Sequence, residues 1–251
     1  MLKAYFQTFK KYKDLIVYLA KNQISLRYRK SYLGMLWSLL NPLLTMIVLT
    51  MVFSNFPIYL MCGRLFYDYN SEATKTSLNS VVSNSSLIKK IYIPKYVFPL
   101  SSSIAALVNM FFSLLALIIV MFCTHLPLQW TMLLFWLPMV YVFVFSTGLG
   151  LVLSAINVFF RDIKHLYGVL LTMWLYLTPI FYPFESVPEM VQNIIRLNPL
   201  YHYIEMFRGL IIYGTLPTLR ENLLCGGMGI GILLIGVLFF KKTQDRFILH
   251  I

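Results

Sequence analysis

The chain has 251 residues, of which 59% are hydrophobic and only 12% charged, and 21 Lys and Arg against 9 Asp and Glu give a formal net charge of +12. A soluble domain is nearer half apolar and a quarter charged, so this composition, with a mean hydropathy of +0.74, excludes one. The 65 residues between Lys95 and Arg161 contain no Asp, Glu, Lys or Arg, room for two membrane crossings at about 20 residues each.

Residues 1–34 carry eight Lys or Arg and one acid, with no apolar stretch leading to a small-residue cleavage site, so internal spans are expected to direct insertion. Arg27, Arg29 and Lys30 stand just before the first apolar run, where positive side chains meet lipid headgroups. Two roles are open to them: receiving a lipid pyrophosphate, which guanidinium groups bind in bidentate fashion, or anchoring the surface. Residues 35–56 are an uncharged run of 22, long enough to cross once. A weaker second crossing falls at about 57–82, where apolar residues fade into the polar stretch 70–86. Arg64, Asp68 and Glu72 recur there every four residues, one face of a helix, either lining a polar path or neutralising one another.

Asn84 to Lys95 reads as a linker, with a cap-like Ser pair before apolar and basic residues, and predicts a short docking helix or a lipid-touching basic patch. Residues 97–123 and 131–154 form a hairpin of spans around Thr124–Pro127, and a fifth span is expected at 166–182. Its end, Trp174 to Pro183, holds two prolines that kink or stop the helix. Trp174, Tyr176 and Tyr182 can offer ring faces and hydrogen bonds to sugars, or act as interfacial anchors. Ser186-Val187-Pro188-Glu189 predicts a capping box, and Asn198-Pro199 caps and starts a second short helix ending before Gly214. The pair, 186–213, is read as a re-entrant hairpin, or as helices lying flat on the leaflet. A sixth span covers 222–240, where Gly227 and Gly231 form G-x-x-x-G for close helix contact.

Seventeen of the 21 positive residues then fall on one face, so both termini are expected in the cytoplasm. That placement assigns the basic excess to the membrane and not to nucleic acid. Cys62, Cys123 and Cys225 match neither a disulfide framework nor a zinc spacing and read as buried small hydrophobes. No stretch matches G-x-x-x-x-G-K-[ST] or H-E-x-x-H, and no D-x-D-like pair stands on the basic face. A membrane hydrolase, metal enzyme or glycosyltransferase therefore lacks its parts, and energy from ATP must come from another subunit.

Five segments in order carry a resemblance. They are Leu26-Arg27-Tyr28-Arg29 with Leu33 to Pro42, Asn84 to Pro94, Asn157 to Ile163, Leu177 to Pro183, and Leu197 to Leu200. Together the chain resembles the membrane subunit of type-2 ABC transporters that export polysaccharides such as O-antigen, teichoic acid and capsule. The resemblance implies an all-α membrane protein of six transmembrane helices, with a cytoplasmic interface segment at 1–34 and a permease domain at 35–251. It implies a homodimer in the inner membrane, joined to two cytoplasmic P-loop ATPase subunits that bind the ATP and Mg, this chain holding no cofactor or metal. The substrate implied is a lipid-linked polysaccharide. A coupling helix at 84–95 would dock on the ATPase through Ser86, Leu87, Ile88, Lys89 and Lys90, with Arg161 and Asp162 as a second contact. Helices 186–213 would be the outer gate, and Trp37, Tyr59, Arg64, Phe66, Trp174, Tyr176 and Tyr182 would line the channel. The charged helix after Ser54-Asn55-Phe56-Pro57 departs from that family's longer link and more apolar second span. An exporter of small amphipathic molecules, or a passive lipid scramblase or channel without ATPase partners, is the competing reading.

Overall fold

A computed structural model describes residues 2–28, 31–34, 36–53 and 57–250, with side chains from residue 12 onward except at 27–28, 46, 49–53 and 248. Among the described residues there are ten α-helices and no strand. They are α1 (Leu2–Tyr28), α2 (Leu36–Phe53), α3 (Pro57–Ser83), α4 (Ser85–Lys90), α5 (Val97–Cys123), α6 (Trp136–Phe159), α7 (Ile163–Tyr176), α8 (Glu189–Arg196), α9 (Pro199–Arg208) and α10 (Leu219–Thr243). By length and apolarity, three segments among the described residues can each cross a membrane: Val97–Cys123, Trp130–Phe159 and Leu219–Phe247.

The centre of the bundle is α3, packed chiefly against α5 and α6. Its first half buries Leu60, Met61, Cys62, Leu65 and Phe66, and its second half buries Asn70, Thr74, Ser77 and Ser80. Asn70, Thr74 and Ser77 find partners across helices, while Ser80 Oγ donates to Ser77 O within α3 and Asn70 Nδ2 has no partner among the described residues. Ser146 Oγ donates to Asn70 Oδ1 at 2.8 Å, and Tyr167 Oη donates to Thr74 Oγ1 at 2.7 Å. Tyr67 Oη donates to Leu171 O at 2.6 Å, Ser77 Oγ to Pro99 O at 3.0 Å, and Asn157 Nδ2 to Leu78 O at 2.9 Å. A polar helix is thus accommodated inside the bundle because its groups are hydrogen-bonded to α5, α6 and α7.

Two apolar clusters lie at opposite ends of α3. One joins α3, α5, α6 and α9 through residues such as Phe66, Leu117, Phe145 and Phe207. The other gathers Ile16 and Leu19 of α1, Ile88 of α4, Val97 and Phe98 of α5, Val158 of α6, Phe240 of α10 and Phe247 of a C-terminal 3₁₀ turn. In α1, Ile16, Leu19 and Ala20 are buried while Val17, Tyr18 and Lys21 are exposed, an amphipathic helix docked on the start of α5.

Several expectations need correction. The fifth helix stops at Tyr176, not 182, because Pro179 cannot continue it. Ser186 forms no capping box: it ends a 3₁₀ turn and its Oγ donates to Pro183 O, while α8 starts after Pro188. The capping box is instead at Thr218 and Glu221, opening α10. Asn84, not the following serines, is the N-cap of α4. Asn198 caps α9 as expected, accepting from Leu200 N at 3.0 Å. A π-helical turn, Gly209–Tyr213, extends α9 and ends at Gly214, whose φ of +65° suits glycine. Cys123 is exposed, while Cys62 and Cys225 are buried.

In α10, a Cβ on Gly227 or Gly231 would meet nothing within 4 Å among the described residues, so the G-x-x-x-G pair makes no close helix crossing within this chain. The close crossing belongs to Gly236, set against the Gly148 backbone of α6. A Cβ on Gly148 would lie 2.5 Å from Leu233 N and 2.7 Å from Ile232 C. Gly148→Val is expected to lower stability by about 1–3 kcal/mol through overpacking, whereas Gly227→Ala leaves it unchanged. Thermal unfolding of the two detergent-solubilised variants checks this.

Candidate functional site

The basic end of the molecule is built on α4. This helix follows α3 after one residue, and Asn84 O accepts from Leu87 N and Ile88 N at 3.0 Å. Ile88 is 7% exposed and seated in the apolar cluster with Ile16, Val97 and Phe247, and Leu87 packs half-buried against it. Ile88 therefore anchors the helix and is not available as a docking surface. The groups that face outward are Ser86, Lys89, Lys90, Ile91 and Tyr92. Arg161 and Asp162 are exposed just after Phe159, whose ring meets Phe247 at 5.8 Å, so the two sequence-predicted contact segments share one apolar footing.

That footing includes a wedge that the sequence did not reveal. Lys95 Nζ donates to Gln244 O and lies 5.5 Å over the Phe247 ring, holding the C-terminal turn against the linker. Burial lowers the Lys95 ammonium pKa, and the Asp245 carboxylate acts against that shift.

At the other end of α3, Arg208 is the organising residue. It is fully buried, at 0% exposure. Its Nη1 donates to Glu205 Oε1 at 2.7 Å and to Pro179 O at 3.0 Å, and its Nη2 donates to Tyr59 O at 3.2 Å. Its guanidinium carbon stands 3.3 Å from the Tyr59 ring centre. The planar fork thereby ties α9 to the start of α3 and to the segment after α7 that Pro179 leaves non-helical. Asn198 makes a second tie: Oδ1 accepts from Trp174 Nε1 at 2.8 Å, and Nδ2 donates to Thr178 Oγ1 at 2.8 Å.

Beside Arg208 lies a cavity of about 270 Å³ lined by Tyr59, Phe181, Tyr182, Tyr201, Glu205 and Tyr213, among others. Phe184 stacks on Tyr201 with ring centres 5.0 Å apart. An aromatic wall with carboxylate and phenol groups can take the faces and hydroxyls of a sugar ring.

The predicted channel residues do not form one surface. Tyr59 and Tyr182 come together in this cavity, Tyr59 Oη donating to Tyr182 O at 3.4 Å. Tyr176 is exposed nearby, its carbonyl accepting from Tyr182 Oη at 2.6 Å. Trp174 is half-buried and pinned to Asn198. Phe66 is wholly buried against Phe207, with ring centres 4.9 Å apart, so it is core and lines no open path. Arg64 pairs with Asp68 at 3.1 Å, and Trp37 is exposed on α2. Glu72 accepts from Asn109 Nδ2 of α5 at 2.6 Å. Arg29, Lys30 and the Arg27 side chain lie outside the described residues. Among the described residues, no group of His, Cys, Asp and Glu can hold a metal ion.

The family described as ABC-2 type transporter matches residues 14–212, and the chain belongs to that family. It is 28% identical over 247 residues to the O-antigen export system permease protein RfbA of Myxococcus xanthus, covering 94% of this chain and 95% of that one. It is 25% identical over 207 residues to the polysialic acid transport protein KpsM of Escherichia coli, covering 76% and 79% of the two chains. It is also 25% identical over 228 residues to the capsule polysaccharide export inner-membrane protein CtrC of Neisseria meningitidis, covering 84% and 83%.

Arg208→Met is expected to destabilise the protein by about 3 kcal/mol, the lower end for removing one member of a buried ion pair because Glu205 is partly exposed. Arg64→Gln, at a pair whose two side chains are both partly exposed in this chain, is expected to cost less than Arg208→Met. Denaturant unfolding of both variants measures the contrast.

Proposed function

We propose that this chain is the membrane subunit of an ABC exporter that moves a lipid-linked polysaccharide outward across the inner membrane, powered by a separate ATPase. The observation that carries this reading is the end-to-end similarity to the O-antigen export permease, 247 residues covering 94% of the chain, supported by polysaccharide-export relatives of two further kinds. The chain contributes no covalent chemistry: hydrolysis of ATP, with its Mg, belongs to the partner. In this reading both termini are cytoplasmic, the chain crosses the membrane six times, at α2, α3, α5, α6, the segment 166–182 that holds most of α7, and α10, and α8 and α9 form a re-entrant element on the outer side. Two copies pair, and two P-loop subunits dock beneath them.

The geometry supports a specific transmission route. Exposed Ser86, Lys89, Lys90, Ile91 and Tyr92 would meet the ATPase, while Ile88 fixes α4 to the rest of the protein. Because α4 follows α3 directly, a pull on α4 is delivered to α3. The far end of α3 is where Tyr59 is gripped by Arg208 and abuts the aromatic cavity. ATP binding shifts the permease only if the nucleotide-bound ATPase holds one arrangement of α4 more tightly than the other, which is a requirement of any such coupling.

Deletion of the gene is expected to leave a lipid-linked glycan inside the cell and strip it from the surface. Mass spectrometry of the accumulated lipid checks this, and accumulation of a small amphipathic compound with normal surface glycan would favour the other exporter reading. Lys89→Glu with Lys90→Glu is expected to cut glycan-stimulated ATP hydrolysis of the purified complex by about tenfold, equivalent to about 1.4 kcal/mol of docking, with folding intact. Ile88→Asp is expected to reduce the amount of folded protein instead, since it buries a carboxylate in an apolar cluster.

A further inference from the structure

A groove of about 570 Å³ lies between α1, α3 and α5, at the opposite end of α3 from the aromatic cavity. Its volume is within the roughly 300–1,000 Å³ of small-molecule sites. Five of its lining side chains are amides, Asn22 and Gln23 of α1, Asn79 of α3, Asn84 at the α3–α4 junction and Asn109 of α5. Among the described residues, Glu72 and Lys75 are the acid and base of the lining. The groove is held open by specific bonds: Gln23 Nε2 donates to Ser102 Oγ at 3.1 Å, fixing α1 on α5, and Asn109 Nδ2 donates to Glu72 Oε1 at 2.6 Å, fixing α5 on α3. Asn109 Oδ1 is buried with no hydrogen-bond partner, and an acceptor left so is costly unless something donates to it.

The chemistry of this wall selects among ligands. An acyl chain would gain from Leu19, Ile24, Leu26 and Ala105, which also line the groove, but would leave its amides without partners. A phosphate needs donors alone, and the Glu72 carboxylate repels it. Hydroxyl groups both donate and accept, as amides do, so a wall of five amides with one carboxylate and one ammonium matches an uncharged polyhydroxyl ring gripped by its edges. Among the described residues the lining holds no Phe, Tyr or Trp to stack on a ring face, unlike the cavity at the other end of α3. Glu72 is eleven residues above Ser83, about 16 Å along the helix, so in a membrane crossed by α3 the groove reaches from the α4 side to near mid-depth. The geometry points to a glycosyl-binding site formed by Asn22, Asn79, Asn109 and Glu72, where the sugar end of the substrate is held on the cytoplasmic side before it reaches the aromatic cavity. This deepens the export reading and rests on it.

The test is photocrosslinking in intact cells carrying the full permease–ATPase complex, with benzoylphenylalanine at position 79 and, as a lipid-facing control, at position 115, where Leu115 is exposed. The probe is the cell's own lipid-linked glycan, detected by its sugar. A glycan adduct is expected at 79 and not at 115. It should fall about fivefold for each of Asn109→Leu and Asn22→Ala, the loss of one hydrogen bond of about 1 kcal/mol apiece. Because Asn109→Leu also breaks the tie to Glu72, the exposed Asn22→Ala single variant, with unchanged membrane levels, must lower the adduct by itself. A phospholipid adduct alone at 79, no adduct there, or a glycan adduct untouched by both variants overturns the site. Normal surface glycan in the deletion strain would overturn the export reading itself, so the two failures are told apart.

Discussion

The fold depends on keeping a polar helix inside an apolar bundle. From Asn70 to Ser80, α3 buries amide and hydroxyl groups that a hydrocarbon environment would not accept. Ser146, Tyr167 and the Pro99 carbonyl, from three different helices, pair with Asn70, Thr74 and Ser77, Ser80 is paired within α3, and Leu171 O and Asn157 add ties to Tyr67 Oη and the Leu78 carbonyl. Each such bond contributes only about 1 kcal/mol, but losing one leaves a buried group unpaired, and this asymmetry fixes the rotation and height of α3 relative to α5, α6 and α7. With α3 set, α4 hangs from its lower end and Arg208 closes over its upper end.

The arrangement makes α3 a connector. Its 27 residues span roughly 40 Å, about the full thickness of a bilayer with its headgroup regions. At one end Ile88, Phe247 and Lys95 knit α4, the C-terminal turn and the linker into one apolar footing. At the other, a guanidinium shared among Glu205, Pro179 and Tyr59 joins α9 to α3. In the proposed reading this helix would link the surface that is pulled to the surface that opens, held by apolar packing in its first half and by polar bonds in its second.

Apolar length was the most legible signal. The α5 boundaries match the sequence expectation because the run 97–123 is uncharged and flanked by Tyr96 and Thr124, and Asn198-Pro199 announced α9 by local chemistry alone. The helix α3 was faint because hydropathy counts Asn70, Thr74 and Ser77 as polar and cannot see their partners 22 to 93 residues away. Arg208 was unreadable for the same reason: an arginine at the end of a short helix looks solvated until Tyr59 and Pro179 are folded over it. Phe66 was misread because aromatic identity does not say which side of a helix is packed. The G-x-x-x-G spacing did not say whether its contact lies within the chain or across a dimer; within the chain it is Gly229 and Gly236 that approach α6. The basic character of α4 was visible, whereas the burial of Ile88 required Phe247, 159 residues further on.

The central claim is that α3, despite its charges and amides, crosses the membrane from end to end. In a background with Cys62, Cys123 and Cys225 replaced by Ala, Pro57→Cys and Ser83→Cys can be probed with a membrane-impermeant maleimide in spheroplasts. Labelling of position 57 in intact spheroplasts, with position 83 labelled only after the membrane is opened, is the result expected. Labelling of both positions from the same side would contradict the account.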